Sequence, residues 1–551
     1  MLKPRDTVQD ALLLRDIQAA LKAQRPQKAE ELACRAVSAG VVDPLPFFVR
    51  AQWWMRQGKA MRAVEDLVHA VALAPRNVAL RNSVAPMLIG WQHPREAIVI
   101  LKEAIRLDPR SLAAHFNLGW AFERAGELAP CREAYARALA LDPRHADTLA
   151  RLAGVAYRQG ELDAALDHAE RALAVNPAIY NALAARANVA LRRKDFAVAE
   201  DSIGRLLALE NISPVDRADA HGLLGDLRDA EARFGEAFQG YTACNREKIR
   251  LYGPQFARGR TFGQFAAALA DAFEREPAED WSVQRPAQTA DDDMAHDGPR
   301  GHVFLVGFAR SGTTLAESVL VTHPGIATLV EDVTLNDPML RLFHEPQGLE
   351  QLKALNGAEA DGARQGYWKR VRESRGDIAG KVFVDDNPFY SLLLCIVAKL
   401  FPCAKVVFAL RDPRDVVLSC FRRRIGVNRP IFELLDLERA AHFYSNTMRL
   451  RMRYREKLGL AWHDLRHEAL IADFDTEIAA LCAFLDVPFV DAMRDFAIKA
   501  KDRAIITASA AQISRGLNSE GIGHWRHYRE QLAPVFPILA PWVERFGYPA
   551  D

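Results

Sequence analysis

Long apolar runs are missing from this 551-residue chain. No stretch approaches the roughly 18 residues that a membrane-crossing helix needs, so no membrane span is expected. The N-terminus, MLKPRDTVQDALLLRD, has too short an apolar core for a signal peptide. Net charge is nearly missing as well. The 72 Lys and Arg residues against 71 Asp and Glu leave +1, so no global field draws nucleic acid or a membrane surface, and any anion must be held by local charge. Cysteine is sparse and unpatterned. Cys34, Cys131, Cys244, Cys395, Cys403, Cys420 and Cys482 form no C-x-x-C pair and no Cys/His run with metal spacing. This odd, scattered set reads as reduced, buried thiols in a cytoplasmic protein, and no metal site is expected. What remains is 50% hydrophobic and 26% charged, ordinary for globular protein, and long enough for two or three domains.

The first half repeats. Pro75, Pro109, Pro143 and Pro177 stand 34 residues apart, each two residues after Leu73, Leu107, Leu141 or Val175. Ala63, Ala97, Ala165 and Ala199 share the period, with Cys131 in the middle slot, and Ala70, Ala104, Ala138 and Ala172 form another register. Gly58, Gly126 and Gly160 mark a turn inside the unit. Alanine lets two helices approach, glycine closes the first, and proline opens the next unit. The 34-residue period resembles the tetratricopeptide repeat. The clearest units are 112–145 and 146–179, with weaker ones on either side, including 215–248. Stacked units of this kind share one continuous core in an all-α solenoid with a concave face for a protein or peptide ligand. Trp53, Trp54, Trp91 and Trp120 are expected to pack in that core.

Residues 278–300 are polar and aperiodic, and read as a linker or mobile loop; the acid run Asp291–Asp293 within it reads as a solvated face. Beyond residue 300, HVFLVG (302–307), KVFVD (381–385) and AKVVFALR (404–411) are short apolar runs, each followed by helical sequence. That alternation predicts a parallel sheet covered on both faces. The division expected is a repeat solenoid over 10–250, a helical connector over 251–300 and an α/β domain over 301–551.

Two segments carry the chemistry. GFARSGTTL (307–315) leaves a strand, turns and enters a helix over about 312–321. Helix-start amides and Ser311, Thr313 and Thr314 can surround an anion. The spacing from Gly307 to Gly312 copies a P-loop, yet Thr313 stands where a nucleotide triphosphatase needs lysine. Arg310 can supply the charge for a single 5′-phosphate. The plainer alternative is a strand-to-helix corner. In ALRDPRDVVLSCFRRR (409–424), Arg411 ends a buried strand, Ser419 lies about two helical turns on, and Arg423 one turn further. Arginine forks suit phosphate. The plainer alternative is a basic helix face, with Arg414 paired to Asp412 or Asp415.

In this order the two segments resemble the sulfotransferase family. The chain is similar to the protein-tyrosine sulfotransferases, and to bacterial proteins that join tetratricopeptide repeats to such a domain. The resemblance spans about 301–549 and implies a P-loop-like sulfotransferase domain with a parallel sheet, with 3′-phosphoadenylyl sulfate as donor. It places Arg310, Ser311, Gly312, Thr313 and Thr314 at the 5′ end of the nucleotide, and Arg411, Ser419 and Arg423 at the 3′-phosphate. LRHEALI (465–471), TASAAQISRGLN (507–518) and GIGHWRHY (521–528) match further family segments, implying nucleotide contacts from His467, Ser509, Asn518 and His524. Trp525 is expected to be structural. Ungapped counting from RSGTTL puts Glu331 on the catalytic glutamate of the tyrosylprotein enzymes, with Asp332 as second candidate; either carboxylate could take the acceptor's proton.

One departure stands out. Where the family usually has lysine before its x-P pair, VDDNPFY has Asp386, and a carboxylate there would repel charge developing on the leaving phosphate. Three accounts stay open: Arg310 carries that task alone, Lys381 reaches in from the far end of its strand, or the domain binds nucleotide without turnover. The favoured reading is sulfuryl transfer to a hydroxyl acceptor, protein tyrosine among the candidates, with the repeats recruiting the acceptor. The rivals are a catalytically degenerate nucleotide-binding adaptor and a P-loop kinase. No metal is expected, since a sulfuryl group carries less charge than a phosphoryl group.

Overall fold

The computed structural model describes residues 7–256, 259–279, 281, 298–335, 347–424, 426–498 and 516–550. The acid run Asp291–Asp293, most of the 278–300 linker and Ser509 lie outside them. The chain divides into two compact units, 1–157 with 161–185, and 158–160 with 186–551.

Fifteen described helices span Thr7–Arg275. Leu112–Ala125 pairs with Leu128–Leu141, and a Cβ on Gly119 would fall 2.4 Å from the Tyr135 ring, so glycine sets how closely the two helices meet. The 34-residue period extends further in the backbone than in the composition. Gln24, Gly58, Gln92, Gly126, Gly160 and Lys194 all take positive φ, from 53° to 80°. The turn thus persists where glycine is replaced, at a cost of about 1 kcal/mol for a side chain in that region. Trp54, Trp91 and Trp120 pack against the repeat core, half-buried rather than enclosed. Cys34 is half-buried and Cys403 exposed, so the expectation of uniformly buried thiols holds only for the other five.

In the second unit lies a five-stranded, fully parallel sheet: β1 (Gly301–Val306), β2 (Ile326–Val330), β3 (Val382–Asp386), β4 (Lys405–Leu410) and β5 (Ala461–Arg466), in the order β2-β3-β1-β4-β5. Alternate residues feed two cores. Val303 and Leu305 join one with Leu315, Val319 and Ile478, while Phe304 and Val306 join the other with Val416, Phe443 and Tyr444. Both faces are covered, which is why these strands read as unbroken apolar runs. The second core also takes in Ala237 and Tyr241 of helix Phe234–Phe256 and Phe265 and Phe273 of helix Phe262–Arg275. Lys457 closes the latter helix, donating to the carbonyls of Phe273, Glu274 and Glu276 at 2.9, 3.2 and 2.7 Å. Helices that looked like a repeat and a connector in the sequence therefore share the core of the sheet.

Candidate active site

Because the strands are parallel, all five carboxyl ends lie on one edge, where open α/β sheets bind their ligands. β1 runs into the loop 307–312, β2 into Glu331, β3 into Asp386 and Asn387, β4 into Arg411 and β5 into His467.

Close approach shapes the first loop. A Cβ on Gly307 would stand 2.8 Å from the Ala409 carbonyl oxygen, so only glycine lets β1 leave the sheet beside β4. Arg310 then takes φ 70° and Gly312 φ 108°, and helix Thr313–Leu320 starts at once. The first amides of a helix have no acceptor within it, which makes such a turn a seat for an anion. A left-handed arginine costs about 1–2 kcal/mol, the kind of strain found at ligand clamps.

The arginines converge on this loop. Arg310 Nε donates to Ser419 Oγ at 3.1 Å, and Arg411 Nη1 donates to the Arg310 carbonyl at 3.2 Å. A second Arg411 amine donates to the Gly521 carbonyl, while its Nε is buried with no hydrogen-bond partner. Burial, then the charges of Arg423 and Arg411, push the Arg310 guanidinium down to about 9. Burial pushes Arg423 down too, with Asp226 pulling the other way. Cations crowded in this way are relieved by an anion.

His467 completes that side. Burial, then Arg411 and Arg310, push its imidazole down to about 3, so the ring is neutral. Its Nδ1 has no partner in the protein and lies 3.0 Å from where a Gly312 Cβ would stand.

Glu331 leaves β2 with φ 50°, and its amide donates to the Asp386 carbonyl at 2.7 Å. The residue is exposed to solvent, yet desolvation by the surrounding protein pushes its carboxyl above the ordinary range, against the pull of Arg310. The chain beyond it is pinned by β3 and the turn that follows. Asn387 Nδ2 donates to the Asp332 carbonyl at 3.2 Å, Tyr390 Oη to the same oxygen at 3.1 Å, and Thr334 Oγ1 to Asp385 Oδ2 at 2.8 Å. Asp386 is 1% exposed and its Oδ1 has no partner. Burial, then Glu317, Glu331 and Asp385, hold its carboxyl well above the usual range, with a hydrogen bond from Thr313 opposing.

Residues 302–491 match the sulfotransferase-family model, and residues 112–145 match that of the tetratricopeptide repeat. The chain carries a sulfotransferase-family domain behind tetratricopeptide repeats. An uncharacterized protein of Aquifex aeolicus is 25% identical over 264 residues, which are 45% of this chain and 34% of that one. Protein-tyrosine sulfotransferase A of Caenorhabditis elegans is 23% identical over 45% of this chain and 67% of its own length. Protein-tyrosine sulfotransferase 1 of Danio rerio is 24% identical over 45% and 72%. The chain thus spans about a third of the Aquifex protein and two thirds or more of the other two.

Within the sulfotransferase domain, Arg310, Gly312, Arg411, Ser419, Arg423, His467 and Glu331 come together. Ser311 is buried in the same loop and Thr313 and Thr314 in the first turn of the helix it enters, Thr313 being engaged with Asp386. Asn518 Nδ2 donates to the Gly516 carbonyl at 3.3 Å, and His524 Nε2 lies 3.0 Å from Asp229 Oδ1. Trp525 is buried under the Arg414 guanidinium, 3.8 Å from its ring centroid, in keeping with a structural role. Lys381 precedes β3, at the opposite end of that strand from Asp386. The expected repulsion from Asp386 needs correction. A carboxyl this buried and this close to other acids favours its uncharged form, so the position lacks the usual cation without presenting a fixed negative charge. Among the described residues no group of three or more His, Cys, Asp or Glu is placed to hold a metal ion, and no helix is long and apolar enough to cross a membrane.

Two residues have roles the sequence did not assign them; Asp415 was offered only as a partner for Arg414, which pairs with Asp412 instead. Asp415 accepts from the amides of Gly523 and Trp525 at 2.6 and 2.8 Å, pinning the 521–528 segment to helix Pro413–Arg422. Glu468 accepts from the Asp412 amide at 2.9 Å, locking the turn after β4 to that after β5. Their partners are main-chain amides far along the chain, which residue types alone do not reveal.

Proposed function

We propose that this protein is a sulfotransferase that moves a sulfuryl group from 3′-phosphoadenylyl sulfate to a hydroxyl acceptor, with protein tyrosine as the acceptor and the repeats recruiting it. The observation that carries this reading is the crowding of Arg310, Arg411 and Arg423 around one strained loop, with Arg310 joined to Ser419. The residues suit a nucleotide with phosphate at both ends. The orphaned Arg411 Nε and His467 Nδ1 are donor or acceptor positions left over for a ligand, and Gly312 keeps the space between loop and ring open. The amides of 310–314 and Arg310 would hold the 5′ end, and Arg411, Ser419 and Arg423 the 3′-phosphate. When bound, the donor supplies the sulfuryl group and leaves as adenosine 3′,5′-bisphosphate.

Glu331 takes the acceptor's hydroxyl proton on its carboxylate. Arg310 lies near enough to steady that carboxylate electrostatically, and the hydrogen bonds from Asn387 and Tyr390 to Asp332 keep the base in place. The tyrosine acceptor and the donor come from likeness to the protein-tyrosine sulfotransferases; the peptide-recruiting role comes from the repeats. A second reading, a nucleotide-binding adaptor without turnover, is favoured by Asp386 alone, since that position offers no cation to the leaving phosphate. Incubation with labelled 3′-phosphoadenylyl sulfate and tyrosine-containing peptides separates them. Label transferred to peptide supports transfer, while calorimetric binding of adenosine 3′,5′-bisphosphate without transfer to any hydroxyl acceptor supports the adaptor. Absence of binding defeats both.

A further inference from the structure

The run Phe421-Arg422-Arg423-Arg424 ends helix Pro413–Arg422, and its neighbours in space come from far earlier in the chain. Asn245 Nδ2 donates to the Phe421 carbonyl at 2.9 Å. Arg422 Nη2 donates to Asp229 Oδ2 at 2.6 Å. Arg424 Nη2 donates to Asn188 Oδ1 and Asp226 Oδ2, each at 3.3 Å, and crosses Gly222, where a Cβ would stand 2.5 Å from its Cδ. Arg423, between these two tethered arginines, is the one whose charge bears on Arg310. Its backbone turns out of the helix at φ −89° and ψ 136°, its amide keeping one bond to the Cys420 carbonyl at 3.3 Å, so its direction depends on what holds its two neighbours.

Asp229 stands at the centre of this contact. Besides Arg422 it takes His524 Nε2 at 3.0 Å and the Tyr528 hydroxyl. His524 and Tyr528 belong to the segment whose Gly521 carbonyl receives Arg411 and whose amides at Gly523 and Trp525 are held by Asp415. Ring stacking supports the same contact, Phe234 on His527 with centroids 4.4 Å apart and Phe238 on Phe421 at 5.1 Å. One carboxylate from helix Pro214–Ala230 thereby joins the end of the arginine helix to the segment 521–528.

We propose that Asp229 is a positioning residue for the 3′-phosphate seat: by holding Arg422 and His524 together it fixes where Arg423 points and how far the 521–528 segment stands from Arg411. This rests on the nucleotide reading of the site. It also assigns helix Pro214–Ala230, which has the look of a repeat helix, to the nucleotide-binding machinery. Charge-assisted bonds of this kind are shorter and stronger than neutral ones, so one half-buried carboxylate with three donors can set the geometry of two elements.

The test uses the full chain and two nucleotides that differ only at the 3′ end, adenosine 3′,5′-bisphosphate and adenosine 5′-monophosphate, titrated by calorimetry. In Asp229→Asn the bisphosphate Kd is expected to weaken by about tenfold or more, while the monophosphate Kd stays within about twofold. Tyr528→Phe is expected to shift the bisphosphate in the same direction by less, and Asp229→Glu to recover part of the loss. If a melting curve shows Asp229→Asn to be unfolded, Tyr528→Phe and Arg422→Lys carry the comparison. Equal weakening of both nucleotides, or no change in either, overturns the proposal. A wild-type chain that binds no bisphosphate defeats the nucleotide reading itself, and the proposal with it.

Discussion

The amide of Glu331 donates to the main-chain oxygen of Asp386 at 2.7 Å. The proposed proton acceptor and the residue standing where lysine is usual are thus coupled through the backbone, and the Glu331 side chain raises the electrostatic cost of charge on Asp386. Through this bond position 386 holds the turn that presents Glu331.

Glu331→Gln removes the proposed proton acceptor and leaves that backbone bond in place. Turnover is expected to fall by about 10²–10⁴, the usual worth of a positioned general base. Bisphosphate affinity should hold, as calorimetry beside a label-transfer assay would show. The proposed base works as a carboxylate, and partial desolvation by the surrounding protein raises its pKa. The wild-type rate should therefore fall on acidification at a pH above the ordinary glutamate range, and that acid limb should be absent from the residual rate of Glu331→Gln.

Asp386→Asn tests whether the buried acid is uncharged. A carboxyl whose pKa is higher in the folded than in the unfolded chain keeps more proton when folded. Its contribution to stability is thus full at acid pH and is lost as pH climbs from the unfolded value toward the folded one. Asparagine has no such loss. The melting temperature of the variant relative to wild type should therefore be higher at pH 8 than at pH 5, by about 2–4 °C for each kcal/mol of penalty removed. A difference unchanged between the two pH values would count against an uncharged Asp386.

Arg411→Gln should separate nucleotides in a thermal melt. A ligand at about 100 times its Kd stabilises the folded chain by about 2.7 kcal/mol. Adenosine 3′,5′-bisphosphate should raise the wild-type melting temperature well above the effect of adenosine 5′-monophosphate. In Arg411→Gln that margin should shrink or vanish.

Gly312→Ala should cost affinity through the backbone as well as the clash with His467. A φ of 108° is hard for any L side chain. The double variant Gly312→Ala, His467→Ala should therefore remain weak for the bisphosphate, where a purely steric problem would be relieved. Calorimetry on the two variants and wild type decides.

The repeat period, three of the five strands and the paired phosphate motifs were legible in the sequence because each leaves a local signature. β5 did not, since AWHDLR reads as polar. Asp464 within it is acceptable only because Arg451 and Arg455 arrive from helix Leu437–Lys457, and nothing local announces that pairing. β2, IATLV, is apolar and five residues long like β3, yet it too went unread. Gln24, Gln92 and Lys194 hide the turn that glycine marks elsewhere. The charge state of Asp386 was out of reach because it depends on Glu317, Glu331 and Asp385 gathering around a buried group. The arginine run looked uniform in the sequence; only the fold distinguishes Arg423 from Arg422 and Arg424, each tied to a carboxylate about 200 residues away.

The contact of Asp229 and Asn245 with the arginine helix bears on how this chain can be cut. A gene fragment opening at Gly301 would carry Arg422 without its counter-ion, the Phe421 carbonyl without its donor, and a bare slot where Tyr241, Phe265 and Phe273 should be. Such a piece should come out insoluble, and one reaching back ahead of Pro214 should behave as a protein.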